Sequence, residues 1–169
     1  MLKAFLILNI NNTNNWFLIT TVDPSQFPEQ EFVSRQVDLS LIAHPEVSSS
    51  IKILQSVPYD KVERLYQESN IFVFPSLVES FGHPLVEAMA SGLPVIASDI
   101  PIHREVCGDA AIYFDPLNEN DLAEKINYLS SNLDVCQELI SVAKKRVSMS
   151  FIWKSHVLNL VNIIESLCK

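Results

Sequence analysis

Residues 71–97, IFVFPSLVESFGHPLVEAMASGLPVIA, predict the centre of the fold. Short apolar runs rich in β-branched and aromatic residues stand at both ends of this stretch and are typical of strands. Between them, Pro84 suits the first turn of a helix, where its missing N–H costs nothing, and Gly92 is a natural stop. The pattern therefore predicts strand, helix over 85–91, and strand. Continuous apolarity in the two strands indicates burial on both faces, as in a parallel sheet.

Strand patterns alternate with helical patterns along the chain, which favours an α/β domain with helices on both faces of a parallel sheet. The predicted strands are residues 16–21, 51–54, 71–74, 94–97 and 111–114. Apolar residues at helical spacing predict helices that contain Leu2–Leu8; Val62, Leu65 and Tyr66; Leu122, Ile126 and Leu129; and the run from Trp153 to Cys168.

Three details complete this pattern. Asn118 or Asn120 is expected to cap the helix through Leu122. The segment 23–50 is poorly legible, although Val33, Val37 and Leu41 suggest a helix within it. The chain opens on a helix, whereas a βαβ fold normally begins with a strand, so either the fold is unusual or a first strand is missing from this chain.

The composition excludes several classes of protein. Of 169 residues, 48% are hydrophobic and 19% are charged, which predicts one globular domain over residues 1–169. The net charge of −8 argues against a nucleic-acid or membrane-surface binder, because both need a basic face. The apolar run at Leu2–Leu8 is too short to be a transmembrane segment. Cys107, Cys136 and Cys168 show no zinc or redox spacing and are expected to be buried, reduced thiols of a cytosolic protein.

The turn before the central helix is predicted to be a ligand site, because the carboxyl ends of parallel strands bind ligands. Gly82 permits backbone angles and close approaches that a side chain would forbid. Free N–H groups from Gly82 to Val86 would carry partial positive charge and could hold a phosphate. Glu79 would lie in the loop and Glu87 about one turn into the helix. These carboxylates are either acceptors for vicinal hydroxyls, as on a sugar, or solvated surface charges.

The stretch VFPSLVESFGHPLVEAMASGLPVIAS, residues 73–98, closely resembles the nucleotide-binding signature of the family-four (group 1) retaining glycosyltransferases. The hallmark of that signature is Glu, seven residues, Glu. Further matching segments are residues 57–66, 105–116, 121–123 and 151–153, with a fainter match over 2–21. The resemblance implies the GT-B architecture, in which two Rossmann-like domains enclose the active site. This chain would be the C-terminal half: a Rossmann-like three-layer α/β/α domain with a mostly parallel sheet lacking its first strand, and a C-terminal helix at about 151–169.

The resemblance also implies roles for individual residues. Glu87 would bind the ribose hydroxyls of a nucleoside diphosphate sugar, and Glu79 would be the catalytic residue near the donor sugar, with capping of its own loop as the competing interpretation. His83 would contact the diphosphate or pack beside the start of the helix. The residues predicted to bind the donor are Phe81, Gly82, His83, Pro84, Leu85 and Glu87. No metal or other cofactor is expected, because helix dipoles and basic side chains replace a divalent ion.

The sequence departs from the family pattern in several places. Members usually carry an Arg and a Lys on the loop after the first strand of this domain, but Leu2–Phe5 already resembles the helix that follows it. Thr20–Pro24 replaces a glycine-rich turn, and Gln55 replaces another usual glycine. The N-terminal acceptor-binding domain is also absent from these residues. We therefore expect that the chain needs that domain, or a separate subunit, and is inactive alone.

Two functions remain open from the sequence. The first is the donor-binding half of a hexosyltransferase that uses a UDP or GDP sugar in polysaccharide biosynthesis, in the cytoplasm or at the inner membrane face within the full enzyme. The alternative is a degenerate, non-enzymatic α/β module for protein association. It would self-associate through the sheet edge that a missing first strand leaves exposed. A response-regulator-like function is excluded, because the acidic cluster and lysine that it needs are not visible.

Overall fold

The structure, a computed structural model, describes residues 1–11, 16–21, 39–54 and 56–167. Its strands are β1 (Leu18–Thr20), β2 (Ile51–Ile53), β3 (Phe72–Phe74), β4 (Val95–Ser98) and β5 (Ala111–Phe114). Its helices are α1 (Leu2–Asn11), α2 (Tyr59–Gln67), α3 (His83–Ala90), α4 (Pro101–Cys107), α5 (Glu119–Ser131), α6 (Leu133–Ser150) and α7 (Trp153–Leu167). Short 3-10 turns at Ser48–Ser50 and Gly108–Ala110 lead into β2 and β5.

The described strands form two parallel sheets, which confirms the α/β prediction. β1 pairs with β2, with Leu18 opposite Ile51. β4 lies between β3 and β5, with Val95 opposite Phe72 on one side and Ala111 on the other. Because all three strands of the larger sheet run the same way, their carboxyl ends meet at one edge, which is the edge where the turn before α3 begins.

The central strand β4 separates two hydrophobic clusters and so defines three layers. Val95 packs on one face with Leu85 of α3. Ile96, the next residue, packs on the opposite face with Leu8 of α1 and Leu122 of α5. Successive strand residues point to opposite faces, and both faces of β4 are covered by helices. All four residues of β4 are buried, as the continuous apolar run predicted.

Most predicted elements are present with small shifts at their ends. Asn118, and not Asn120, is the N-cap of α5: its side-chain oxygen accepts from Asn120 N at 3.1 Å and Asp121 N at 3.2 Å. The predicted helix through Val33 and Val37 lies outside the described residues, while residues 39–42 form a helical turn.

Helix α6, Leu133–Ser150, is not among the elements predicted from the sequence. Its buried residues, Leu139 and Ala143, are spaced by about one helical turn. Leu139 belongs to the cluster with Ile96, and Ala143 belongs to the cluster with Val95. Cys136 and Val147 continue that spacing as half-buried contacts. This helical spacing of apolar residues is the sequence signal from which the helix could have been predicted. Asn132 stands at the N-cap, but its side chain does not cap the helix, because its amide Nδ2 donates to Tyr128 O at 2.7 Å.

Helix α7 is present where a C-terminal helix was predicted, and it begins at Trp153. Its apolar side chains are largely exposed, with Leu158 at 54% and Ile164 at 59%. Among the described helices, none combines the length and apolar content that a membrane span requires.

The two cysteines within the described residues are free thiols, as predicted. Cys107 is buried, and burial raises the pKa of its thiol to about 12. Cys136 is half-buried, and its thiol donates to Leu129 O at 3.2 Å. Cys168 lies outside the described residues.

Candidate functional site

The turn from β3 into α3 is shaped by one glycine. Gly82 has φ 84° and ψ 53°, in the left-handed region that L side chains rarely adopt. A Cβ at this position would lie 3.0 Å from Leu85 Cδ1 and 3.6 Å from Phe74 Cε1. The turn therefore needs glycine both for its backbone angles and for the space above Leu85. α3 begins immediately afterwards, at His83, with Pro84 in its first turn.

The N-terminus of α3 offers fewer free N–H groups than the sequence predicted. No side chain caps it. Pro84 has no N–H, and the Leu85 N–H donates to Gly82 O at 2.9 Å. Among the described residues, the N–H groups of Gly82 and His83 have no acceptor. These two amides are therefore available as anion donors at the start of α3, while the fully buried Leu85 side chain supports the turn from the core side.

A cavity of about 460 Å³ lies beside this turn. Its volume falls within the range of small-molecule sites, which is roughly 300–1,000 Å³. The Phe81 ring lies 4.8 Å from the His83 ring and 5.8 Å from the Phe151 ring, measured between centroids. The lining residues are Phe81, His83, Val86 and Glu87 on one side and Ser150, Phe151, Ile152 and His156, from the junction of α6 and α7, on the other. Three predicted donor-binding side chains thus share one cavity.

Glu79 lies in the loop between β3 and α3, half-buried, and does not line this cavity. Among the described residues its carboxylate has no hydrogen-bond or ion-pair partner, so no contact supports the loop-capping interpretation. The loop is held by other side chains. The Ser98 hydroxyl donates to Ser76 O, and the Ser76 hydroxyl donates to Val78 O at 3.0 Å.

Buried His103 reinforces the same edge of the sheet. Its Nδ1 lies 2.9 Å from Ser98 O and 3.0 Å from Ser98 Oγ, and its ring faces Phe74 at 5.3 Å. A carbonyl oxygen can only accept, so the proton sits on Nδ1. Through Ser98, His103 ties the start of α4 to the loop that carries Glu79.

Glu87 is half-buried on α3 and is held by a residue that the sequence analysis placed only on a helix face. The Tyr66 hydroxyl donates to Glu87 Oε2 at 3.1 Å. The Tyr66 ring packs edge-on against Phe72, with 5.6 Å between centroids. Burial and the nearby carboxylate of Glu87 raise the pKa of Tyr66 above its ordinary value. The two residues are 21 positions apart, so no local sequence pattern indicated this contact.

A second cavity, of about 320 Å³, lies at the carboxyl ends of β3 and β5. Lys3, on the first turn of α1, lines it and contributes a positive charge there, with its ammonium 3.8 Å from the Glu119 carboxylate. The other lining residues are Met1, Leu2, Pro75, Leu77, Phe114, Pro116, Leu117, Asn118, Glu119 and Leu122. Lys3 was not among the site residues predicted from the sequence.

Comparison with known proteins agrees with this architecture. The family model of the glycosyl transferases group 1 matches residues 2–146. The O-antigen chain mannosyltransferase B of Escherichia coli is 32% identical over 117 residues, which cover 69% of this chain and 30% of that protein. The O-antigen chain mannosyltransferase RfbU of Salmonella typhimurium is 38% identical over 79 residues, which cover 47% of this chain and 22% of that protein. The chain thus spans less than a third of these relatives.

Solved structures show the same fold. A glycosyltransferase from Rickettsia africae superposes with a TM-score of 0.81 at 24% identity, over 99% of this chain and 43% of that one. Anabaena Alr3699/HepE, solved in complex with UDP, gives a TM-score of 0.79 at 20% identity, over 97% of this chain and 44% of that one. The fold is therefore that of one part of a GT-B glycosyltransferase. Because the family model matches residues 2–146, the chain belongs to the group 1 glycosyltransferases.

Proposed function

We propose that this chain is the donor-binding domain of a retaining glycosyltransferase that transfers a hexose from a nucleoside diphosphate sugar. The observation that carries the proposal is the convergence of Phe81, His83 and Glu87 on one cavity of about 460 Å³ at the N-terminus of α3. Membership of the group 1 glycosyltransferases supports glycosyl transfer as the class of reaction. The Glu79 loop, next to this turn, is assigned to the donor sugar.

The chemistry of the turn suits the three parts of such a donor. The N–H groups of Gly82 and His83, at the positive end of α3, would bind the diphosphate. Glu87 would accept hydrogen bonds from the vicinal ribose hydroxyls, since a carboxylate accepts at both oxygens. We propose that no divalent metal takes part, because the helix dipole provides positive charge to the diphosphate.

The relatives guide the choice of nucleotide. Two of them are named as mannosyltransferases, and one similar structure holds UDP. A GDP sugar and a UDP sugar are therefore the donors to test first, with a mannosyl group before other hexoses. Polysaccharide assembly, as in the O-antigen enzymes, is the proposed setting.

Titration of the ¹⁵N-labelled chain with UDP and with GDP, in EDTA, is expected to shift the amide signals of Gly82 to Glu87. We expect a Kd on the order of 1 mM, equivalent to roughly −4 kcal/mol, because two backbone amides and one carboxylate provide few polar contacts to the donor. The Glu87→Gln variant should bind about tenfold more weakly, since it removes charge-assisted hydrogen bonds to ribose.

Glu124→Gln is the matched control, because it removes the same charge from an exposed position on α5. It should bind as the unmodified chain does. Amide signals that do not move at high nucleotide concentration, or equal affinities for Glu87→Gln and Glu124→Gln, would contradict the proposed function.

We further propose that these 169 residues do not transfer sugar by themselves. The cavity at α3 provides contacts to the donor, and acceptor recognition is assigned to the additional domain of the GT-B architecture. Incubation with radiolabelled GDP-mannose or UDP-glucose and a mixture of sugar acceptors should yield no glycosylated product. Product formation by the purified chain would contradict the division into donor and acceptor domains.

Protein association is the second candidate function, and the surface of α7 favours it. The exposed apolar side chains on this helix include Leu158, Val161 and Ile164, each more than 40% exposed. Exposed apolar patches of this kind mark interaction surfaces. If the chain sediments as an oligomer and Glu87→Gln leaves nucleotide affinity unchanged, association replaces donor binding as the proposed function.

A further inference from the structure

The contact between Tyr66 and Glu87 joins two elements that are distant in the sequence. Tyr66 lies on α2 and Glu87 on α3, and the phenol donates to Glu87 Oε2 at 3.1 Å. Among the described residues, the other carboxylate oxygen, Oε1, has no hydrogen-bond partner. Glu87 is also one of the residues that line the cavity of about 460 Å³. One oxygen of Glu87 is thus held by the protein, and the other is left for a ligand.

We propose that Tyr66 is a positioning residue that holds the Glu87 carboxylate in the orientation needed to bind the ribose hydroxyls. The inference rests on the proposed function, since it requires Glu87 to contact ribose. Tyr66 lies outside the signature of two glutamates separated by seven residues. Its effect on binding should be limited to the ribose of the donor.

The hydrogen bond joins a flexible side chain, Glu87, to a fixed one, Tyr66. A glutamate has three side-chain torsions, and ordering it on ligand binding costs conformational entropy. The Tyr66 ring is packed edge-on against Phe72 and is half-buried, so its hydroxyl occupies a defined position. A hydrogen bond from a fixed donor restricts Glu87 before the ligand arrives, which improves binding by pre-organisation.

The ionisation of Tyr66 is consistent with this role. Burial, and then the charge of Glu87, raise the pKa of Tyr66 above its ordinary value. The phenol therefore stays protonated and remains a donor at neutral pH. Ionised Glu87 can only accept, so the direction of the hydrogen bond is determined.

The test is the Tyr66→Phe variant, which removes the hydroxyl and keeps the ring that packs on Phe72. Binding of UDP and GDP, and of their 2′,3′-dideoxy counterparts, is measured by the same amide titration. Loss of one such hydrogen bond should weaken the binding of UDP or GDP about three- to tenfold. The dideoxy nucleotides should bind to the variant and to the unmodified chain equally, because they lack the hydroxyls that Glu87 would hold.

Tyr113→Phe is the matched control. Tyr113 is another half-buried tyrosine and lies on β5. Its hydroxyl donates to Gly108 O at 2.6 Å and makes no hydrogen bond to Glu87. This variant should keep the affinity ratio of ribose and dideoxy nucleotides. The Tyr66→Phe/Glu87→Gln double variant should bind no more weakly than Glu87→Gln alone, because both changes remove the same contribution.

The outcomes separate this inference from the proposed function. If Glu87→Gln weakens binding and Tyr66→Phe does not, the positioning role is wrong and the donor site stands. Equal weakening of ribose and dideoxy binding by Tyr66→Phe also overturns the role, because it indicates a general structural loss. If the unmodified chain does not distinguish ribose from dideoxy nucleotides, the ribose site is wrong, and the role of Tyr66 falls with it.

Discussion

Replacing Leu85 by alanine is expected to lower the free energy of unfolding by about 3 to 4 kcal/mol. Leu85 is fully buried in the cluster that joins α3 to β4, and its Cδ1 lies directly under Gly82. Replacement by alanine removes the isopropyl group and leaves a cavity beneath the turn that precedes α3. Urea denaturation followed by circular dichroism measures the loss, and the m-value should not change because the fold is retained.

Two variants calibrate this result. Leu85→Met keeps the volume and should lose less than about 1.5 kcal/mol. Leu133→Ala removes the same atoms from a side chain that is 72% exposed at the start of α6, and its effect should stay within about 0.5 kcal/mol. A loss below about 1 kcal/mol for Leu85→Ala would contradict the packing of α3 on β4 described above.

Replacing Arg146 by alanine is expected to lower the free energy of unfolding by about 2 to 3 kcal/mol. Its Nε donates to Val106 O at 2.7 Å and its Nη2 to Glu105 O at 2.6 Å. These carbonyls lie in the last turn of α4, where helical partners are lacking, so the guanidinium caps that helix from α6. It also lies against Gly108, where a Cβ would approach Nη1 to 2.9 Å.

Lys145→Ala is the control for charge. It removes the same positive charge from the acidic chain at an exposed neighbouring position, and it should change the stability by no more than about 0.5 kcal/mol. Arg146→Lys should retain part of the stability, because an ammonium lacks the planar fork that reaches both carbonyls. Equal effects of Arg146→Ala and Lys145→Ala in thermal unfolding would show that charge, and not the cap, is responsible.

The central βαβ unit shows how much local pattern can predict. The apolar runs that became β3 and β4, Pro84 in the first helical turn and Gly82 before it are all local signals, because each constrains the backbone of its own neighbourhood. α3 begins at His83 and not at 85, since the left-handed Gly82 lets the helix start directly after it. The number of free amides was overestimated. Whether Leu85 N–H is free depends on its bond to Gly82 O, which periodicity does not reveal.

The sequence by itself determined the class of fold, the family and the position of Glu79 and Glu87 around a helix N-terminus, because periodicity, helix signals and the signature are properties of neighbouring residues. Only the tertiary structure decided that Tyr66 holds Glu87, that Arg146 caps α4, and that Phe151 and His156 complete the cavity beside His83. These contacts join residues that are far apart along the chain. They exist because α2 and α6 pack around the sheet and the start of α7 lies beside α3, which no pattern within one segment can specify.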